Sequence, residues 1–74
     1  MDNVQKAIDL TAHINAAHVE DIRFEAIRST PAGAYLYRVD DISNGETRYV
    51  IEGETGELKG NFESEESALE DWNA

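Results

Sequence analysis

Acidic side chains are the residues of this chain whose chemistry is most prominent. The 74 residues include 16 Asp and Glu against 6 Lys and Arg, which gives a formal net charge of -10. Two carboxylates can act as acid and base in glycoside hydrolysis when one is desolvated and the other solvated. No pair is marked out in this way, because the carboxylates fall in predicted turns, strand edges and helix faces that a small protein leaves wet. We therefore expect no catalytic residues and no enzyme.

The residue types that bind metals or attack substrates are few. Cysteine is absent, which excludes thiol nucleophiles, disulfides and cysteine-ligated metals. Asp9 and His13 are four residues apart on a predicted helix, but two ligands do not make a metal site. His18 is expected near the C-terminal end of that helix, where it would interact with the helix dipole. No Gly-x-Ser-x-Gly motif or phosphate-binding loop occurs, so we expect neither a metal nor a cofactor.

Negative charge is concentrated in the second half of the chain. Residues 1–39 carry five acids and four bases, a net of -1, whereas residues 40–74 carry eleven acids and two bases, a net of -9. Direct binding to nucleic acid or to an anionic membrane is not expected, because both require cations. Since no stretch approaches the ~20 apolar residues of a membrane span, we expect a cytoplasmic protein.

Two helices are predicted, one towards each end of the chain. Apolar residues recur at 3.6-residue spacing over residues 3–18, and Asp2 or Asn3 can cap the first turn. Ser64 is typical of the N-cap of a second, shorter helix, because its hydroxyl can accept a hydrogen bond from a free amide. The buried face of this second helix is expected to contain Ala68, Leu69 and Trp72.

A meander of three or four antiparallel strands is predicted between the helices. Two-residue alternation and clusters of β-branched and aromatic residues indicate these strands. The pattern does not decide which face of the sheet is buried. The predicted fold is therefore a single α+β domain over residues 1–74. Strands are expected over residues 21–29, 34–41 and 47–53, with a short fourth over 57–60.

Asn44 and Gly45 predict a hairpin between the second and third strands. Asn-Gly suits a two-residue type I′ loop, because both positions of that loop require positive φ. A two-residue loop fixes the register of the strands on either side. The expected pairs are Ser43 with Glu46, Asp41 with Arg48 and Val39 with Val50.

The spacing of carboxylates on a strand suggests how this charge could be used. Glu52 and Glu54, two residues apart on a strand, would lie about 6 to 7 Å apart on one face. That distance is on the scale of successive backbone phosphates, so such a surface could occupy a basic groove built for DNA. A short, cysteine-free, strongly acidic chain with a helix, a meander and a glutamate-rich tail resembles the small phage-encoded DNA mimics, among them several anti-CRISPR proteins.

The resemblance implies a non-enzymatic inhibitor that blocks a DNA-binding or PAM-reading groove of a CRISPR–Cas effector complex. The partner would be a basic nucleic-acid-binding protein, and the inhibitor would act in the host cytoplasm. The implied partner-binding residues are the carboxylates of the second half: Asp40, Asp41, Glu46, Glu52, Glu54, Glu57, Glu63, Glu65, Glu66, Glu70 and Asp71.

Two other interpretations of the acidity stay open. A small regulatory or accessory domain could meet a basic protein patch without imitating DNA. Salt-adapted proteins also carry excess acids, although such proteins are expected to spread them evenly along the chain.

Overall fold

A four-stranded antiparallel sheet is the centre of the protein, whose computed structural model describes residues 3–74. Strands that are neighbours in the chain are also neighbours in the sheet, so the sheet is a meander. One helix precedes the strands and one follows them, which confirms the predicted α+β class. The elements are α1 (Asn3–His13), β1 (Ile22–Ser29), β2 (Tyr35–Asp41), β3 (Glu46–Glu52), β4 (Leu58–Phe62) and α2 (Glu65–Trp72), with a 3-10 turn at Val19–Asp21.

The two helices cover opposite faces of the sheet. Leu10 of α1 packs with Tyr37, and Ala68 of α2 packs with Leu36. Because adjacent residues of a strand point to opposite faces, β2 contributes to both clusters and the centre of the sheet is buried on both sides. The buried members are Leu10, Ile22, Tyr37, Val39 and Val50 on the α1 side, and Leu36, Ile51 and Ala68 on the α2 side.

Helix α1 ends at His13, five residues before its predicted end. Asn15 has a left-handed backbone with φ of 61°, and the amide of Ala16 donates to the carbonyl of Thr11 at 2.9 Å. These are the features of a Schellman motif, which terminates a helix by satisfying its last carbonyls. Ile14 and Ala16 still pack against the α1-side cluster, so the apolar spacing continues although the helix does not.

The predicted N-cap of α2 is confirmed. The Ser64 hydroxyl accepts a hydrogen bond from the amide of Ser67 at 3.1 Å. Asn3 begins α1, and the predicted cap Asp2 lies outside the described residues. The predicted buried face of α2 is also confirmed, because Ala68 is fully buried while Leu69 and Trp72 pack partly buried beside it.

The loop between β2 and β3 is longer than predicted, and the predicted register is wrong. Asp41 pairs with Glu46, so the loop contains the four residues 42–45 instead of two. The cause is Asp41, whose carboxylate accepts from the amide of Ser43 at 3.1 Å and whose carbonyl accepts from the amide of Gly45 at 2.9 Å. Such a side-chain turn competes with the tight hairpin. The observed pairs are Asp41 with Glu46, Val39 with Arg48 and Tyr37 with Val50.

Candidate functional site

Two of the eleven candidate carboxylates lie inside the protein. Asp41 is 5% exposed, and its carboxylate also accepts from the hydroxyl of Ser43 at 2.6 Å. The side chain of Glu52 is 12% exposed and lies 2.5 Å from the ammonium of Lys6. Both carboxylates are held by the protein itself, so neither is free to face a partner.

Lys6, Glu52 and Tyr37 form a polar cluster between α1 and the sheet. The Lys6 ammonium contacts Glu52 and also lies 5.4 Å from the centre of the Tyr37 ring. Burial, together with hydrogen bonding to Glu52 and its negative charge, raises the pKa of Tyr37 well above its usual range. Tyr37 therefore stays neutral. We interpret this cluster as an anchor for α1.

The β3–β4 turn changes the predicted relation between Glu52 and Glu54. Strand β3 ends at Glu52, and the amide of Gly53 donates to the carbonyl of Glu57 at 2.8 Å to close a turn. Glu54 lies in this turn and is exposed. The two carboxylates therefore do not form the expected pair on one strand face.

Glu57 in the same turn is a fully exposed carboxylate with a local partner. The hydroxyl of Thr55 donates to it, and this hydrogen bond lowers the pKa of Glu57. The carboxylate is consequently ionised at lower pH than an ordinary glutamate. Hydrogen bonding also restricts its position in the turn.

Nine candidate carboxylates are at least partly exposed, and they fall into two groups. Three lie near a cation: Asp40 is 3.5 Å from Arg38, Glu46 is 3.7 Å from Arg48, and Asp71 is 3.3 Å from Lys59. The other six have no cation within 4 Å in the described part of the chain, and all lie in the β3–β4 turn or in and just before α2. These six are Glu54, Glu57, Glu63, Glu65, Glu66 and Glu70.

Helix α2 carries its charge on the side away from the sheet. Ala68 is buried, whereas Glu66 and Glu70 are exposed and lie one turn apart. Like charges at this spacing destabilise a helix by about 0.2–0.5 kcal/mol. The Ser64 cap and the favourable position of Glu65 at the positive end of the helix dipole offset part of that repulsion. The outer face of α2 thus presents a line of uncompensated negative charge.

A groove of about 550 Å³ lies between the β3–β4 turn and the C-terminal end of α2. Ile51 and Trp72 line it, and both also belong to the hydrophobic cluster under α2. The groove therefore combines apolar and aromatic surface with charged groups. Its charged side chains are Glu54, Glu57, Asp71 and Lys59.

The two histidines have structural contacts. His13 Nε2 donates to the carbonyl of Gly60 at 2.7 Å and so ties the end of α1 to β4. The predicted place of His18 at the end of α1 is wrong, because the helix stops earlier; His18 instead lies 3.6 Å from the exposed carboxylate of Glu20. Within residues 3–74, no group of three or more His, Cys, Asp and Glu is arranged to hold a metal ion.

The groove is not apparent from the sequence. Trp72 was predicted on a buried helix face and Glu54 among the partner contacts, but no sequence pattern indicated that these residues meet. Only the order of the elements could have indicated this contact, because a helix that follows β4 can bring its C-terminal end back to the β3–β4 turn. The length of α2 had to be known before that return could be predicted.

Comparison of the chain with protein-family models, with curated proteins and with solved structures gives no match. A separate observation concerns membranes: none of the helices in the described part of the chain is long and apolar enough to cross one.

Proposed function

We propose that this protein is a non-enzymatic binding protein whose carboxylates occupy a basic groove that otherwise holds nucleic acid. The observation that supports this most strongly is the concentration in residues 54–70 of six exposed carboxylates that have no cation within 4 Å in the described part of the chain. Self-repulsion at this density destabilises a small fold. A binding role gives that arrangement a use that folding alone does not.

The spacing of carboxylates on α2 supports mimicry of a phosphate backbone. Glu66 and Glu70 are exposed and have no ion-pair partner in the described part of the chain. They lie about 6 Å apart along the axis of the helix, which is on the scale of successive backbone phosphates.

The concrete form of the proposal is an anti-CRISPR inhibitor, which follows from the resemblance in overall character. A CRISPR–Cas effector holds its nucleic acids in a positively charged channel and reads the PAM with arginine side chains. An acidic protein would be steered towards such a channel by the same field that attracts DNA. Binding should therefore weaken steeply as ionic strength rises.

Competition with DNA is the direct test. Labelled target DNA is added to a purified CRISPR–Cas effector complex with increasing amounts of this protein, and the apparent dissociation constant of the DNA is measured at low and high salt. We expect the apparent dissociation constant of the DNA to increase with added protein, and this increase to be smaller at high salt. An unchanged dissociation constant at low salt, across effector types, would reject the anti-CRISPR form.

Charge reversal at matched positions separates mimicry from a general polyanion effect. The triple variant Glu54→Lys, Glu66→Lys, Glu70→Lys and a control variant each change the net charge by six units, two for each of three residues. Glu52 is left unchanged because it is buried against Lys6. The control variant is Asp9→Lys, Glu20→Lys, Glu25→Lys, all exposed in the first half.

The first variant should abolish competition with DNA, and the control should retain most of it. Both variants are compared by circular dichroism, because relief of self-repulsion can itself alter stability. An equal loss of competition in both variants would indicate that the protein acts as a nonspecific polyanion. Full competition by the first variant would place the binding surface elsewhere.

The groove beside Trp72 favours a second candidate, a regulatory or accessory domain that meets a basic protein patch without imitating DNA. A compact site with an aromatic wall suits a protein segment better than an extended line of charge does. In that case the partner would be captured equally well in the presence of excess DNA. Loss of capture in the presence of DNA would favour mimicry.

A further inference from the structure

We propose that the groove between the β3–β4 turn and α2 receives an arginine side chain from a basic partner. This inference deepens the proposed function. It rests on that function in one respect only, namely that the partner is basic.

The aromatic wall is Trp72. The residue packs partly buried against the cluster under α2 and also lines the groove, so part of its surface faces the cavity. Guanidinium groups stack on tryptophan more favourably than on other aromatic rings. The neighbouring apolar contact with Ile51 suits the methylene groups of the same side chain.

The charge of the groove matches a cation. Three carboxylates, Glu54, Glu57 and Asp71, face one ammonium, Lys59, which leaves an excess of two negative charges. The Lys59–Asp71 pair is 3.3 Å long with side chains 62% and 42% exposed. Exposed pairs of this kind contribute little, so an incoming guanidinium can displace Lys59 from Asp71.

Arginine fits these features better than the other cations. Its planar fork can bind a carboxylate through two parallel hydrogen bonds while the same plane stacks on a ring, whereas lysine offers a single point charge. The carboxylates do not form a metal-binding group in the described residues. A volume of about 550 Å³ is sufficient for one arginine side chain.

Trp72 makes the test direct, because it is the only tryptophan in the chain. Its fluorescence is followed during titration with a tetra-arginine peptide blocked at both ends, and separately with the matched tetralysine peptide. We expect a saturable change with tetra-arginine and binding about fivefold weaker with tetralysine. No saturable change, or equal affinity for the two peptides, would overturn the proposal.

Two variants locate the binding. Glu54→Gln with Glu57→Gln removes two charges from the groove while keeping an acceptor for Thr55, and we expect tetra-arginine to bind about fivefold more weakly. Glu20→Gln with Glu25→Gln removes the same charge from exposed residues of the first half that do not line the groove, and affinity should change less than about twofold. If the first variant is unfolded by circular dichroism, Glu54→Gln alone takes its place. Equal weakening by the groove and control variants would contradict the proposal.

Failure of this inference is distinguishable from failure of mimicry, because the peptide titration contains no nucleic-acid-binding partner. Arginine-selective binding in the groove supports the inference even if the protein does not compete with DNA. Competition with DNA in the absence of peptide binding rejects the groove and leaves mimicry standing.

Discussion

Helix α1 places a charged side chain, Lys6, against the sheet, whereas helix α2 packs through Ala68, Leu69 and Trp72 and keeps its carboxylates outside. The two helices, of 11 and 8 residues, cover opposite faces of one sheet. Helix α1 combines the apolar contact of Leu10 with a specific partner for a buried charge, whereas α2 packs by apolar contact. Most of the surplus acids stay at the surface, since only Asp41 and Glu52 of the second half lie inside the protein.

Removal of the buried cation should have the largest effect. Lys6→Met keeps the packing of the aliphatic chain but leaves Glu52 buried without a partner, so we expect the free energy of unfolding to fall by about 3 kcal/mol. Urea denaturation measures this change. Lys59→Met, at an exposed pair on the α2 side, is the matched control and should lower stability by less than about 1 kcal/mol.

Adding Glu52→Gln to Lys6→Met should recover much of that loss, because no unpaired charge then remains buried. If the double variant is less stable than Lys6→Met alone, Glu52 contributes through contacts other than its charge. Such a result would remove the contrast between the two helices.

The second largest effect is expected at high pH, where ionisation of Tyr37 on the α1 side of the sheet should lower the free energy of unfolding. Folding raises the pKa of Tyr37, so below about pH 10 the residue is neutral in both states and its contribution is complete. Above that pH the unfolded chain ionises first, and stability should fall by up to about 1.4 kcal/mol per pH unit. Urea unfolding between about pH 10 and pH 11 tests this. Tyr37→Phe should show a shallower decline, and an identical decline would assign the loss to other groups.

Loss of the α2 cap should have a smaller effect. Ser64→Ala removes the acceptor for the Ser67 amide, and we expect a loss of about 1 kcal/mol. Thermal unfolding should show a decrease in Tm of roughly 4–8 °C. Ser64→Asp keeps an acceptor and should retain the parent Tm. An equal decrease in Tm for both variants would mean that the Ser64 hydroxyl does not stabilise α2 as an N-cap.

The smallest expected effect comes from the charges of α2 itself. Glu70→Gln removes repulsion with Glu66 and a negative charge near the negative end of the helix dipole, so stability should rise by about 0.5 kcal/mol. Glu65→Gln removes a favourable charge at the other end and should lower stability by a few tenths. Both differences should shrink at about 1 M salt, where the Debye length is ~3 Å. Changes of the same sign at both positions would contradict this account.

Local signals in the sequence predicted where most of the elements begin and end. Ser64 gave the start of α2, and the strands lie within two residues of their expected bounds. Asn15 and Asp41 shifted two boundaries because each acts on the main chain directly, which apolar spacing does not reveal. The sequence Asp41-Ile42-Ser43 did contain a recognisable turn signal that competed with Asn44-Gly45.

Contacts between distant residues could not be predicted in this way. Lys6 and Glu52 are 46 residues apart, and each belongs to a residue type that is usually exposed. The groove also requires the β3–β4 turn and α2 to meet. The surplus charge of residues 40–74 was visible in the sequence, but which carboxylates lack a cation was not.

The contacts that join α1 to the sheet also affect the order in which the protein folds. Lys6–Glu52 and His13–Gly60 close loops of 46 and 47 residues, whereas each strand pairs with the next one in the chain. Contacts between near neighbours form sooner because less chain entropy is lost in bringing them together. We therefore expect α1 to dock after the meander has formed.

Stopped-flow measurements should then show that Lys6→Met accelerates unfolding and leaves the rate of refolding nearly unchanged. A proportionate slowing of refolding would place α1 in the folding nucleus instead. If docking is late, the reverse reaction begins with α1, which would leave the sheet while its strands were still paired.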